Sequence, residues 1–139
     1  MNRLHEIEEL KKNQTLFMDA WISFQKRILE RCPKLYKHLN HFEIQAGWCF
    51  ILEKLSITLE ALIPKDNEEM YALQVKEKFG TLRFYLSSET DEMSSLIEKA
   101  EKLSAYICEI CGEDGDIRTN HGWLTTRCDP CHEEERGKL

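Results

Sequence analysis

The chain has 139 residues, of which 42% are hydrophobic and 32% charged, and its formal net charge is −6. This length allows one compact domain, or a core with one small satellite, and the composition is globular rather than disordered or fibrous. The acidic balance disfavours non-specific binding to nucleic acid, and without a signal peptide or an apolar run of the roughly 18 residues that a membrane helix needs, we expect a soluble, cytoplasmic protein.

Two amphipathic helices are predicted in the N-terminal half. Apolar residues at three- and four-residue spacing predict helix over about residues 3–31, either as one long helix or with Thr15 capping a second one. The helix ends at Cys32 because Pro33 disfavours the α region for the preceding residue. The same spacing predicts a second helix over about residues 47–62, which Pro64 ends. Its apolar stripe consists of Trp48, Leu52, Leu55, Leu59 and Leu62.

A change to period two predicts a β-hairpin over about residues 71–86. Apolar residues alternate with polar ones on both sides of Phe79-Gly80, as in two strands joined by a two-residue turn. Such a turn places Val75 opposite Phe84, although the register could also differ by two residues.

The outward side of this hairpin is the candidate partner-binding surface. Beside Gln74, it would carry a cationic face made of Lys76, Lys78, Arg83 and Tyr85. Three cations with one aromatic ring can hold phosphates, carboxylates or an acidic protein. Lys76 would lie opposite Arg83, and like charges in that position destabilise a hairpin. The simpler interpretation is therefore that an internal acid such as Glu77 or Glu98 neutralises the face, which is otherwise only solvated.

A third helix is predicted over about residues 91–107, with Thr90 or Asp91 as its N-cap, and it leads directly into Cys108. We therefore expect an α+β body over residues 1–107, fused to a C-terminal knob over residues 108–139.

The cysteine spacing in the knob predicts a structural zinc site. Cys108-x2-Cys111 and Cys128-x2-Cys131 are separated by 16 residues, which is typical of four thiolates that bind one zinc ion. Two redox-active dithiols are the alternative, but a thioredoxin-type motif needs a βαβ context that is not predicted here. The remaining cysteines, at positions 32 and 49, are expected to be free thiols in apolar surroundings.

The knob is expected to fold as a treble clef. A knuckle, a hairpin turning at His121-Gly122 and a helix beginning near Cys128 give that arrangement, whereas a second knuckle in place of the helix would give a zinc ribbon. His132 is an alternative to Cys131 as the fourth ligand.

No set of catalytic residues is evident. His121 on a zinc-supported hairpin invites comparison with nucleases of the HNH type, but these need further metal-binding residues, and none follows at a suitable position. We therefore interpret His121 as a solvated turn residue and expect no enzyme activity.

The segment from Gln74 to Tyr85, QVKEKFGTLRFY, resembles a group of small, largely uncharacterised bacterial and phage proteins that carry VKEKFGxLRFY before a C-terminal CxxCG finger. The resemblance covers roughly residues 47–131. It also includes Gly47-Trp48, Ala100-Glu101, Ser104, Cys108-x2-Cys111-Gly112, Trp123 and Thr126-x-Cys128. It implies a phage or mobile-element setting, and it carries over no established activity.

Two functions are left open by the sequence. The acidic balance, small size and structural zinc favour an accessory factor that binds another protein and modulates or inhibits it. The alternative is a regulator that binds nucleic acid through the cationic face, although the knob itself has only four basic residues against eight acidic ones.

Overall fold

The computed structural model describes residues 19–137 of the chain. The first described helix, α1, spans residues 19–31, and the part of the predicted helix before residue 19 lies outside the described residues. The amide of Cys32 still donates to the carbonyl of Ile28 (3.0 Å), and Pro33 then prevents further helix. The predicted end of this helix is confirmed.

Helix α2 spans Cys49–Leu62 and follows a 3-10 turn over Ala46–Trp48. The α-helix begins two residues later than predicted, because the amide of Cys49 bonds only three residues back, to the Ala46 carbonyl. Ile63, immediately before Pro64, is extended and ends the helix as predicted. Of the predicted apolar stripe, Trp48, Leu52, Leu55 and Leu59 are buried in the core, and Leu62 packs against it partly buried.

Strands β1 (Ala72–Lys78) and β2 (Thr81–Leu86) form the predicted hairpin. Their register pairs Val75 with Phe84 and Lys76 with Arg83, so the first of the two registers is confirmed. Both turn residues have positive φ, +56° and +80°, which is the conformation that a two-residue type I′ turn requires.

A short segment beside β1 was not predicted. The amide of Glu43 donates to the Val75 carbonyl (2.9 Å), and the Glu77 amide donates to the Glu43 carbonyl (3.1 Å), which adds one parallel bridge to the hairpin. A single bridging residue has no period-two pattern, so the sequence gives no signal for it.

Helix α3 spans Asp91–Ser104, and the Thr90 hydroxyl caps it by accepting from the Met93 amide. The predicted end at residue 107 is wrong by three residues. Residues 105–107 leave the helix because the backbone of Ile107 forms an antiparallel bridge with Asp114. Cys108 is therefore reached through a turn and not directly from the helix.

The knob contains the predicted second hairpin, with strands β3 (Asp116–Asn120) and β4 (Trp123–Arg127), and then helix α4 (Asp129–Gly137). The helix after β4 favours the treble-clef arrangement over the zinc ribbon. Together the elements form an α+β fold, in which α1, α2, α3 and the first hairpin share one buried hydrophobic core. Within residues 19–137, no helix combines the length and apolar character needed to cross a membrane.

Candidate metal centre

The four predicted ligands come together at one point of the knob. Cys108 and Cys111 lie in the knuckle that follows α3, Cys128 follows β4, and Cys131 lies in the first turn of α4. All four Sγ atoms are within 4.8 Å of one another. Four sulfurs around a tetrahedral zinc ion are about 3.8 Å apart, given Zn–S bonds of about 2.3 Å. The four cysteines can therefore hold one metal ion, and a set of four thiolates suits zinc best.

The knuckle backbone stabilises a thiolate at Cys108. Gly112 adopts a φ of +82°, and its amide donates to the Cys108 carbonyl (2.9 Å), which closes the turn. Burial acts to raise the pKa of the Cys108 thiol, but backbone amides of Cys111, Cys128 and Ile110 donate to its sulfur and lower the pKa to about 7. The fold thus prepares this sulfur to bind a metal as a thiolate.

The thiols of Cys111 and Cys131 lack this advantage. Burial and hydrogen bonds with the neighbouring cysteines raise the pKa of Cys131, and burial is also the main cause of the raised pKa of Cys111. Four sulfurs so close together cannot all carry a negative charge unless a cation compensates them. A divalent ion at their centre would supply that charge, which agrees with the donor set.

A buried ion pair joins the knuckle to β4 beside the cysteine cluster. Glu109, between the two knuckle cysteines, places Oε1 3.4 Å from Nη2 of Arg127, and both side chains are buried. The Glu109 amide also donates to the Thr126 carbonyl (2.9 Å), so the knuckle is bonded to β4. Charge pairing of this kind fixes the approach of β4, and therefore of Cys128, to the knuckle.

Hydrogen bonds connect the knuckle and β4 to other parts of the fold. The amide of Gly47 donates to the Glu109 carbonyl (2.9 Å), and Nε1 of the fully buried Trp48 donates to the Ile107 carbonyl (2.9 Å). At the opposite side, the Thr126 hydroxyl donates to the carbonyl of Gly80 in the first hairpin turn. These contacts join the metal centre to the hydrophobic core.

Neither candidate histidine joins the four sulfurs. His121 is exposed at the tip of the second hairpin with a φ of +52°, consistent with a turn residue. His132 lies in α4 beside Cys131, but the described cluster of metal-binding groups contains Cys131 and not His132.

Cys32 and Cys49 lie away from the cluster, and burial raises the pKa of both thiols, that of Cys32 to about 11. A raised pKa keeps them protonated and unreactive at neutral pH.

The residues of the cationic face lie together on the outer side of the first hairpin, as their alternation with buried Val75, Leu82 and Phe84 requires. The expected neutralisation by Glu77 or Glu98 is not found. Glu77 instead accepts from the Gly80 amide (2.7 Å), and Glu98 pairs with Lys102 (2.9 Å).

Some residues around the centre could not be found from the sequence. The pairing of Glu109 with Arg127 joins positions whose spacing follows no motif, and it depends on how β4 packs against the knuckle. Gly47 and Trp48 are predicted at the start of the second helix, with Trp48 in its apolar stripe, but nothing in their spacing indicates contact with the cysteine module.

Comparison of the chain with protein-family models, with curated proteins and with solved structures finds no match. The resemblance to bacterial and phage proteins therefore stays a prediction, and the cysteine cluster is the part of it that the structure supports.

Proposed function

We propose that the protein is a zinc-stabilised accessory factor that binds another protein in the cytoplasm and modulates or inhibits it. The bacterial or phage setting of this proposal rests on the resemblance of its hairpin and finger. The observation that carries the proposal is the cationic face, which has no acidic partner among the described residues.

Zinc has a structural role in this proposal. Cys108, Cys111, Cys128 and Cys131 would supply all four ligands, so no coordination position is left for a water molecule or a substrate. Bound zinc would fasten the knuckle to β4 and α4, while hydrogen bonds from Gly47 and Trp48 connect the knuckle to the core. We accordingly propose that the protein performs no catalysis itself.

Within residues 19–137, the three cations of the cationic face form no ion pair. Lys76 and Arg83 lie directly opposite each other, and Glu43, whose backbone bridges to Lys76, directs its carboxylate to Gln74 and His41 instead. Within the described part of the chain, Nε of Arg83 is shielded from solvent and has no hydrogen-bond partner. Two adjacent like charges repel each other, and an acidic protein surface would relieve that repulsion.

Nucleic acid is the second candidate partner, because Tyr85 beside three cations could stack on a base while the cations contact phosphates. The overall charge of −6 argues against it, since phosphate binding depends on an excess of positive charge. An acidic protein, which can present a few carboxylates at fixed positions, fits a small basic patch on an acidic molecule better.

Affinity capture from the native host tests the proposal. We predict that Lys76→Glu with Arg83→Glu weakens capture of the main partner at least about tenfold, because the face exchanges two positive charges for two negative ones, and thermal denaturation checks that the variant is folded. The matched control is Lys26→Glu with Lys65→Glu, which changes the net charge equally at two exposed positions and should leave capture unchanged.

Oligonucleotide binding separates the two candidates. We expect only weak binding of DNA or RNA, lost at physiological salt. Sub-micromolar oligonucleotide binding at that salt, abolished by the Lys76→Glu and Arg83→Glu pair, would replace the proposal with the nucleic-acid alternative.

A further inference from the structure

An apolar groove lies between α2 and α3, away from the cysteine cluster and the cationic face. It has a volume of about 290 Å³. Residues one helical turn apart on each helix line it, principally Ile51, Lys54 and Leu55 of α2 and Leu96, Lys99 and Leu103 of α3. Leu103 is 52% exposed, although it is a large aliphatic residue.

The hydroxyl that Thr58 contributes to the lining of the groove already has a hydrogen bond. Thr58, which also lines it, donates its hydroxyl to the Lys54 carbonyl (2.8 Å), so that bond is made within α2. An aliphatic side chain entering the groove would therefore displace water without breaking a hydrogen bond of this hydroxyl.

The charge along the groove is positive on both sides. Lys54 and Lys99 lie on different helices, both are exposed, and among the described residues no acidic side chain lines the groove. Within residues 19–137 neither lysine forms an ion pair. The neighbouring acids are bound elsewhere: Glu53 lies between Arg27 and Arg31 of α1, and Glu101 accepts from the Phe84 amide.

We infer that this groove binds an amphipathic helix of a partner protein, with an apolar stripe flanked on both sides by acidic residues. A groove between two helices receives a third helix through side chains one turn apart, and the two lysines would face the acids on either side of the stripe. The inference rests on the proposed function, because it assigns a second surface to a protein that acts by binding proteins.

A second copy of the chain fits less well. In a two-fold symmetric pair the same groove faces itself, which would bring Lys54 and Lys99 of one copy close to the same lysines of the other. Like charges across such a contact oppose association.

The test uses the zinc-loaded full chain and two synthetic helical peptides. Both peptides have leucine at positions i, i+3, i+4 and i+7, and the flanking positions are glutamate in one and lysine in the other. We expect the glutamate peptide to bind about tenfold more tightly, with amide NMR shifts concentrated at Ile51, Leu96 and Leu103. Lys54→Glu with Lys99→Glu should reverse the preference, and the exposed Lys26→Glu and Lys65→Glu pair should preserve it.

Several results would overturn the inference. These are equal binding of the two peptides, a preference that survives the charge reversal, or no binding of the glutamate peptide. A dimer that Leu103→Glu dissociates in sedimentation would assign the groove to a second copy. Binding of the glutamate peptide only to the variant with Ile7→Glu and Leu10→Glu would assign the groove to the chain's own first residues. The Lys76→Glu and Arg83→Glu pair should not affect peptide binding, so failure at the groove leaves capture through the cationic face, and the proposed function, separately testable.

Discussion

Gly47 occupies a position at which any side chain would collide with the knuckle of the metal centre. A Cβ atom there would lie 2.1 Å from the Cys108 carbonyl oxygen and 2.4 Å from the Glu109 carbonyl carbon, both of them backbone atoms. The backbone of the knuckle cannot move without also moving Cys108. The glycine is therefore required by close approach of two chain segments and not by an unusual φ.

We predict that Gly47→Ala lowers the free energy of unfolding by about 2–4 kcal/mol, because a methyl group must force two backbone segments apart. Urea denaturation in excess zinc measures the loss. The control is Gly122→Ala, where the added methyl meets no atom within 4 Å and only the positive φ of +85° opposes it, at a cost of about 1 kcal/mol. An equal or smaller loss at position 47 would contradict the packing described here.

The Glu109–Arg127 pair gives a second prediction at this scale. Glu109→Gln should cost about 1–3 kcal/mol in the free energy of unfolding, because it removes the carboxylate charge from a buried contact with the Arg127 guanidinium. Glu98→Gln removes an exposed ion pair one turn apart on α3 and should have no measurable effect. Equal denaturation midpoints for the two variants would show that the buried pair does not stabilise the knuckle.

At the scale of elements, helix α3 protects the free edge of the first hairpin. The Leu82 amide of β2 donates to the Ser104 hydroxyl (2.8 Å), and the Phe84 amide donates to the Glu101 carboxylate (3.0 Å). An unprotected strand edge invites pairing with another chain. The two polar side chains of α3 thus satisfy the strand and block that pairing.

We predict that Ser104→Ala costs about 1–3 kcal/mol, because the buried Leu82 amide loses its acceptor. Ser95→Ala, at an exposed position of the same helix, should be neutral or slightly stabilising, since alanine has the higher helix propensity. Hydrogen exchange provides the specific measurement: exchange of the Leu82 amide should accelerate in the first variant only. Unchanged protection would contradict the role given to Ser104.

The helices and strands that can be predicted from the sequence are those with a local pattern of apolar residues. Helical periodicity located α2 and α3, and period two around Phe79-Gly80 gave the hairpin and its register. What could not be predicted depends on contacts between distant segments. The early end of α3 follows from the bridge of Ile107 to Asp114, and the added bridge at Glu43 follows from docking on β1.

The same distinction holds for the metal centre. The ligand set could be predicted because the spacing of two C-x2-C pairs itself reflects the geometry around one ion. The Glu109–Arg127 pair and the contact of Gly47 with the knuckle could not, because they arise only when β4 and the 3-10 turn pack against it.

At the scale of the whole molecule, the four-cysteine cluster and the hydrophobic core are connected by hydrogen bonds. Among its described residues, the knob contributes few buried apolar side chains, whereas Gly47, Trp48 and Gly80 bond it to the remainder of the fold. Loss of the metal should therefore disorder the knob first and then loosen the 3-10 turn before α2. The proposed binding surfaces depend on this coupling only indirectly, since neither contains a cysteine ligand.

The metal content of the purified protein tests the central claim most directly. Elemental analysis after zinc-supplemented expression should give about one zinc per chain, unchanged in Cys32→Ser and Cys49→Ser, whose thiols lie outside the cluster. Cys111→Ser should lose most of the zinc and the exchange protection of β3 and β4. Less than about a tenth of an equivalent in the unaltered protein, or a knob that keeps its exchange protection after chelation, would contradict a structural zinc site.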